Sequence, residues 1–291
     1  MAKYLAYLES HPLEMEEMLQ NNPIAYIPFG ALEWHGPQNV LGVDGIKATE
    51  ICKKVVEITG GVLFPCVYWG AFNTLNFPYT FHFSKRALIK TTRKLVQQLY
   101  EMGFKIIILI TGHYPIAQQK QVRRAAKKKS KRHKDCFALG IPEQAIVPDL
   151  DYLGDHAAMW ETSLMMAINS DFVKLERLPE DLNFPERGIK YGVFGRDPTK
   201  YASIKRGENT LNEIVKRLSN AVIKVKETQS IEPFEEIYLN YKKAMKSLRN
   251  LRKLFENQGL RSSKEGLEFL KWTLFKGKRY NPNYKFKTIK K

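Results

Sequence analysis

The chain has 291 residues and carries 47 Lys and Arg against 30 Asp and Glu, which gives a formal net charge of +17. Its hydrophobic content of 44% suffices for the core of one large domain. No run approaches the roughly 20 apolar residues of a membrane span, and the first residues do not resemble a secretory signal. The three cysteines are odd in number and lack C-x-x-C spacing, which predicts a reducing, cytoplasmic location without disulfides.

The apolar patterns alternate between helices and buried strands. In chain order we predict a helix over 1–22, a strand over 24–30, a helix over 45–58, a strand over 62–69, a helix over 85–102, a strand over 104–110, a helix over 115–133, a strand near 136–141 and a helix over 158–169. Such alternation predicts βαβ units. We therefore expect an α/β fold of three layers, α/β/α, with a mostly parallel central sheet.

Two segments hold most of the positive charge. Residues 120–134 contain nine Lys or Arg and no acid, and residues 231–291 contain sixteen against six Asp or Glu. We predict a body over 1–229 and a basic, partly helical extension over 230–291, with helical spacing over 238–255 and no clear period over 276–291. A basic surface of this kind suits nucleic acid or an acidic partner, although a solvated surface explains it as well.

Side chains that can bind metal follow the first predicted strand. Glu33 and His35 lie two positions apart, a spacing that points both side chains the same way on an extended backbone. Asp44 closes the same loop, just before the next predicted helix. Taken alone, Asp44 could be a helix N-cap; taken with the other two residues, it is a candidate metal ligand.

Two later clusters have the same character. His113 follows the central apolar strand, where open parallel sheets place their ligands, although a buried core histidine is the alternative. Glu161 lies in an apolar run, and burying its carboxylate is costly unless it is paired or bound to a cation. Asp155 and His156 come about one helical turn earlier, and an Asp-His pair beside a metal is a natural proton shuttle.

In this order the residues resemble the creatininase (creatinine amidohydrolase) family over roughly residues 24–210. The blocks that match are Gly30, Glu33, His35, Gly36, Pro37 and Asp44; then Gly112 and His113; then Asp155, His156, Ala157, Glu161, Thr162 and Ser163; and, more weakly, Gly192, Gly195, Pro198, Gly207 and Glu208. Each block alone is weak, but three blocks in order with their ligand-type residues intact are a specific signal.

The resemblance implies two divalent metal ions. Mixed carboxylate and imidazole ligands suit Zn, Mn or Fe. It implies that Asp44 bridges them. Glu33 and His113 would complete one site, and His35 and Glu161 the other. A metal-activated water would attack the amide carbon. His156, oriented by Asp155, would then protonate the leaving nitrogen.

Three departures from the family pattern predict a substrate other than creatinine. Pro115 stands where the creatinine hydrolases have a carboxylate that can bind the second metal, Gln38 replaces a frequent histidine, and Asn73-Thr74 replaces a frequent Glu-His. The second metal site then depends on Glu161.

We therefore expect a metal-dependent amidohydrolase that cleaves a C–N bond of a small cyclic amide, lactam or formamide. The basic segments favour an anionic substrate, and the family resemblance favours a homo-oligomer. A catalytically degenerate member that binds nucleic acid or an acidic protein is the main alternative. An esterase or phosphoesterase on the same scaffold is a third.

Overall fold

A five-stranded parallel sheet forms the centre of the molecule. The computed structural model describes residues 3–70, 77–152, 154–247, 259–260, 262, 264–268 and 271. The strands are β1 (Tyr4–Ala6), β2 (Ile24–Phe29), β3 (Gly61–Leu63), β4 (Ile106–Thr111) and β5 (Phe137–Pro142), in the order β1-β3-β2-β4-β5. Every neighbouring pair is parallel, which confirms the predicted fold class.

Helices cover both faces of this sheet. They are α1 (Pro12–Asn21), α2 (Val43–Thr59), α3 (Lys85–Glu101), α4 (Ile116–Arg132), α5 (Met159–Ile168), α6 (Phe184–Tyr191), α7 (Pro198–Tyr201), α8 (Ile204–Thr228) and α9 (Glu232–Ser247). One face packs against α1, α3 and α4, and the other against α2, α5, α8 and α9. The three layers follow from this arrangement.

The interior strand β4, which pairs with β2 on one side and β5 on the other, explains why the sheet needs both helical layers. Ile106, Ile108 and Ile110 belong to the core on the α2 and α8 side, whereas Ile107 and Leu109 belong to the core on the α3 and α4 side. Because successive strand residues point to opposite faces, an uninterrupted apolar run is buried only when both faces are covered.

The beginning of the chain differs from the prediction. The helix predicted over 1–22 is wrong for its first part, since Tyr4–Ala6 pair with β3 at the edge of the sheet. The helix starts only at Pro12, a residue that suits the first helical position, and Glu14 accepts a hydrogen bond from the His11 backbone N–H at 2.7 Å. The strand ends at Ala6 and is followed by a short 3-10 helix, Tyr7–Glu9, and the capping motif then starts α1.

The second predicted strand, over 62–69, is also shorter than expected. It ends at Leu63, and the chain beyond forms only single bridges, at Val67 and Trp69. Pro65 stands in this segment and cannot donate a hydrogen bond to a neighbouring strand, which accounts for the early end.

The predicted extension begins with a helix that packs on the body. Phe234 and Tyr238 of α9 lie in the same core as α8, and Tyr238 Oη donates a hydrogen bond to Gly140 O at 3.1 Å on the outer strand β5. Residues 248–255 of the predicted helix and all of 276–291 lie outside the described residues, so the division at residue 229 stays a prediction. Among the helices that are described, none has the length and apolar character to cross a membrane.

Candidate metal centre

The candidate residues meet where the strand order reverses. From β2 the chain passes through α2 to β3 on one side, and from β4 it passes through α4 to β5 on the other side. Loops that leave β2 and β4 therefore diverge and open a crevice at the carboxyl edge of the sheet. Glu33 and His35 follow β2, and His113 follows β4, so all three reach this crevice.

Asp44 enters the crevice from the first turn of α2. The helix begins at Val43 after an N-cap at Gly42, so the N-cap interpretation of Asp44 is wrong. Two glycines, Gly30 after β2 and Gly112 after β4, allow this close approach because they have no side chain. A Cβ atom on Gly30 would lie 2.4 Å from the backbone nitrogen of Gly45, and one on Gly112 would lie 2.1 Å from the carbonyl oxygen of Asp44.

Glu33, Asp44 and His113 form the first group of donor atoms. Nδ1 of His113 lies 2.9 Å from Asp44 Oδ2 and 3.1 Å from Glu33 Oε2. The second group consists of His35, Asp44 and Glu161. Nε2 of His35 lies 3.1 Å from Asp44 Oδ1 and 3.5 Å from Glu161 Oε2. Asp44 thus belongs to both groups, with one oxygen directed to each.

The donor atoms fit divalent ions. All five side chains are buried, with at most 3% of their surface exposed, and the donor atoms of each group lie within 4.8 Å of one another. A tetrahedral ion with bonds of 2.0–2.1 Å places its ligand atoms about 3.3 Å apart, close to the distances found here. Nδ1 of His35 lies 3.0 Å from the Glu33 carbonyl oxygen, a hydrogen bond that leaves Nε2 of the neutral ring as the ligand atom.

The carboxylates govern the protonation of both imidazoles. Burial alone would lower the pKa of His35, but Asp44 and Glu161 outweigh it and raise this pKa to about 9. Burial alone would also lower the pKa of His113, but Glu33 and Asp44 together outweigh burial and raise this pKa to about 10. The two imidazolium groups hold the pKa of Asp44 far below its usual range, against the effect of burial. The pocket therefore favours positive charge.

His156 stands beside the two groups. Its ring lies 4.4 Å from the ring of His35, and its Nε2 lies 2.9 Å from the carbonyl oxygen of Trp34. A carbonyl only accepts hydrogen bonds, so Nε2 carries the proton and Nδ1 keeps a lone pair in the neutral ring. Burial, and then the charge of His35, lower the pKa of His156. A ligand atom of His156 also lies within 4.8 Å of those of Glu33 and His35.

Asp155 does not orient the His156 ring as the sequence led us to expect. Its Oδ2 accepts from the backbone N–H of Trp160 at 2.8 Å, and its Oδ1 from that of Glu161 at 3.2 Å. The carboxylate caps α5, because the first N–H groups of a helix lack partners within it. Burial, and then the charge of Glu161, raise the pKa of Asp155 to about 7.

The sequence interpretation missed an ionic network next to the second group. Nζ of Lys47 lies 2.5 Å from Glu161 Oε1, 3.1 Å from Glu143 Oε1 and 2.7 Å from the hydroxyl of Tyr114, and Lys47 is fully buried. Tyr152 donates a hydrogen bond to Glu143 at 3.1 Å. A signal was available, since Lys47 follows Asp44 by three positions on the buried face of a predicted helix.

The departures from the family pattern have structural roles where they are described. Gln38 is buried and donates a hydrogen bond to the Ala157 carbonyl at 2.6 Å, which fixes the loop before α5. Pro115 is the N-cap of α4. Asn73 and Thr74 lie outside the described residues.

Most of the basic segment 120–134 lies on α4, which ends at Arg132; Lys129 is buried, whereas Lys120, Arg124, Lys128, Lys131 and Arg132 are exposed. We call seven of its residues, which line one shallow groove, the basic stripe: Lys120, Arg123, Arg124, Lys127, Lys128, Lys131 and Arg132. The helix carries these side chains away from the carboxyl edge, because α4 starts two residues after Tyr114 and rises about 1.5 Å per residue.

Comparison with known proteins identifies the family. The model of the creatininase family, described as creatinine amidohydrolase, matches residues 9–222. The chain belongs to the creatininase family. It is 26% identical over 231 residues to a creatinine amidohydrolase of Pseudomonas putida. The aligned region covers 68% of this chain and 88% of that protein. Family membership identifies the chain as a hydrolase of non-peptide C–N bonds.

Solved creatininase structures share the fold. One, described as a Mn creatininase, has a TM-score of 0.62 at 24% identity and covers 76% of this chain and 98% of its own. Another, a mutant creatininase of Zn-Zn type, has a TM-score of 0.60 at 24% identity and covers 77% and 98%. At this level of identity the likeness establishes the architecture.

Proposed function

We propose that the protein is a metal-dependent amidohydrolase that cleaves a C–N bond of a small cyclic amide, lactam or formamide. The observation that carries this proposal is the sharing of Asp44 between two donor groups. One carboxylate with an oxygen in each group is the arrangement expected where two ions lie close together.

The five buried side chains would hold two divalent ions. Glu33, Asp44 and His113 would bind one, and His35, Asp44 and Glu161 the other. The Mn and Zn-Zn forms of structurally similar creatininases support divalent ions here. When bound, such ions make water acidic enough to supply hydroxide near neutral pH and polarise a carbonyl group.

His156 would move the proton. Its lowered pKa leaves the ring neutral at pH 7, with Nδ1 free to accept. The ring would take a proton from the attacking water and give it to the leaving nitrogen, which must be protonated before it departs. The hydrogen bond from Nε2 to the Trp34 carbonyl fixes the tautomer that this exchange needs.

Aromatic side chains beside His156 support a small, flat substrate. The ring of Phe194 lies 6.1 Å from the His156 ring, and the ring of Trp34 is stacked on that of Phe77 at 6.3 Å. Leu260, from the predicted extension, packs against the same aromatic cluster. An apolar wall next to buried polar groups is typical of sites for small molecules.

Metal content tests the proposal most directly. We expect about two divalent ions per chain in protein purified without chelator, and loss of both ions in Asp44→Asn because both groups lose a ligand. Activity on a panel of lactams and formamides should fall by more than about 100-fold. Asp149→Asn, a change at an exposed carboxylate, should keep both ions and serves as the matched control.

The opposite result would be decisive. If mass spectrometry finds no ion in the wild type even after Mn or Zn is added, the metal-dependent mechanism is wrong. The basic stripe then favours the alternative, a degenerate member that binds nucleic acid or an acidic partner. A cytoplasmic location and a homo-oligomer stay predictions, the second of which sedimentation can check.

A further inference from the structure

A single ammonium group is buried beside the second donor group. Nζ of Lys47 has Glu161 Oε1 at 2.5 Å, Tyr114 Oη at 2.7 Å and Glu143 Oε1 at 3.1 Å, and it lies 4.4 Å from the centre of the Tyr114 ring. The side chains of Lys47, Glu143 and Glu161 are all 0% exposed. Water therefore does not screen this cluster.

The ammonium is held in its charged form. Its Nζ lies 2.5 Å from Glu161 Oε1 and 3.1 Å from Glu143 Oε1, and two carboxylates at these distances favour the charged form. A buried cation persists only when carboxylates and further hydrogen bonds replace its water, and here two carboxylates and a phenol do so.

This contact restricts what Glu161 can offer to an ion. Its Oε1 is bound to Lys47, while its Oε2 accepts from the Ala157 backbone N–H at 2.7 Å and lies 3.5 Å from His35 Nε2. One oxygen alone therefore faces the second group. The charge of that carboxylate is shared with an ammonium, so a divalent ion next to it is attracted less strongly.

We propose that Lys47 is a positioning residue that holds Glu161 through Oε1 and makes the group of His35, Asp44 and Glu161 the weaker of two ion sites. The inference rests on the proposed function, since it requires that both groups bind ions. The two sites would then fill in a fixed order, with the ion held by Glu33, Asp44 and His113 binding first.

A purely structural role for Lys47 predicts something else. Loss of a structural ion pair would lower the free energy of unfolding and affect both ion sites alike. The proposed role predicts a selective change, in which the weaker ion binds more tightly and the tighter ion is unaffected. The two dissociation constants, measured separately, distinguish the roles.

The experiment is a calorimetric titration of the metal-free, full-length protein with Mn²⁺. For the wild type we expect two binding steps whose dissociation constants differ by about tenfold or more. The test variant is Lys47→Met combined with Glu143→Gln, so that neither charge is left buried alone. Its weaker step should tighten by about tenfold, because Glu161 Oε1 loses the ammonium that lies 2.5 Å away and both carboxylate oxygens can then act on an ion.

Two further variants assign the binding steps to the two donor groups, and a third is the control. Glu161→Gln should remove the weaker step and Glu33→Gln the tighter one. Lys129→Met is the matched control, because Lys129 is also a buried lysine but lies on α4 beside Gln97 and Tyr100. It should leave both dissociation constants unchanged.

Several results would overturn the inference. The inference is wrong if the weaker step is unchanged or lost in the Lys47→Met/Glu143→Gln protein. It is also wrong if the weaker step disappears in Glu33→Gln. Two steps of equal strength in the wild type would contradict the inference and leave the proposed function intact. Absence of any Mn²⁺ binding in the wild type would contradict both.

Discussion

Two regions of this molecule carry most of its charged chemistry, and they differ in burial. At the carboxyl edge of the sheet, Asp44 and Glu161 contact imidazole and ammonium groups and are at most 1% exposed. In the basic stripe, Arg124, Lys128 and Lys131 are exposed. Exposed charges are screened within about 8 Å at physiological ionic strength, whereas buried charges are screened much less. Position therefore determines what each charge can do.

The part of the basic stripe that has partners is tied to the fold. Arg123 and Lys127 each lie 4.4 Å from the centre of the Tyr238 ring, and Lys127 Nζ lies 2.6 Å from Glu235 Oε2. These contacts hold α9 against α4. The residues from Arg123 to Arg132 also lie roughly 10–24 Å along α4 from its first turn, on the part of the helix that leads away from the carboxyl edge.

The net charge of +17 thus describes the surface and not the active centre. In the centre, positive charge comes from two imidazoles and Lys47, and these three groups contact the four carboxylates of Glu33, Asp44, Glu143 and Glu161. A site of this kind is specified by distances of about 3 Å between particular atoms. Substitutions there should have effects far larger than substitutions of the same type in the basic stripe.

The largest expected effect comes from a change that adds one methyl group. In Gly112→Ala the new Cβ would lie 2.1 Å from the carbonyl oxygen of Asp44, and backbone cannot move away as a side chain can. We expect a loss of about 2–3 kcal/mol in the free energy of unfolding, as for overpacked cores. Displacement of Asp44 should also remove both ions, which denaturant titration and metal analysis would detect.

Gly42→Ala is the matched control, because it lies at the N-terminus of the same helix and its Cβ would meet only the Ile46 side chain, at 3.3 Å. We expect a cost below about 1 kcal/mol and full metal content. If Gly112→Ala retained both ions at wild-type stability, the close packing of α2 on the strand exits would not be what positions Asp44.

The sequence was sufficient to predict four of the five strands and to expect Glu33, His35 and His113 at one edge of the sheet, for physical reasons. The run from Ile106 to Ile110 is apolar at every position, which specifies a strand buried on both faces. Glu33, His35 and His113 follow such strands directly, so parallel pairing brings them together. The same logic did not apply to Tyr4–Ala6, since a three-residue edge strand leaves no periodic pattern.

The sequence analysis misses one helix whose spacing is visible in the sequence, and it misses two contacts that depend on the tertiary structure. The sequence analysis does not predict the 25-residue helix α8, although Leu211, Ile214, Leu218 and Val222 have helical spacing. The cap formed by Asp155 depends on the direction of α5, which spacing does not give. The pairing of Lys47 with Glu143 joins residues 96 positions apart on different elements (143 − 47).

A smaller effect is the dependence of metal affinity on pH, which comes from the buried centre and not from the surface. The pKa values of about 9 for His35 and about 10 for His113 mean that both rings are protonated at pH 7 in the metal-free protein. An ion must displace those protons, because only neutral imidazole is a ligand. Metal affinity should therefore fall as pH decreases below about 9, by up to about tenfold per pH unit for each ring.

Calorimetry in two buffers of different ionisation enthalpy measures the protons released. At pH 7.5, below both pKa values, we expect about two protons released when both sites fill. His11→Gln removes an exposed imidazole at the N-cap of α1 and should not change this number. Metal binding without proton release would show that the carboxylates do not hold the imidazoles protonated.

The smallest expected effect comes from the largest change in charge. The variant Arg124→Glu/Lys128→Glu/Lys131→Glu lowers the formal net charge from +17 to +11, since each substitution removes two charges. All three side chains are exposed, so the free energy of unfolding should change by less than about 1.5 kcal/mol. Metal content and KM should match the wild type, because the basic stripe lies away from the carboxyl edge.

A second triple variant separates location from net charge. Lys205→Glu/Lys216→Glu/Lys224→Glu makes the same change in charge on the exposed side of α8. If the basic stripe binds nucleic acid, the α4 variant alone should weaken a steeply salt-dependent affinity for an oligonucleotide. Equal weakening by both variants would indicate attraction to net charge. A raised KM in the α4 variant alone would mean that the basic stripe reaches the substrate, and the separation of the two regions would be wrong.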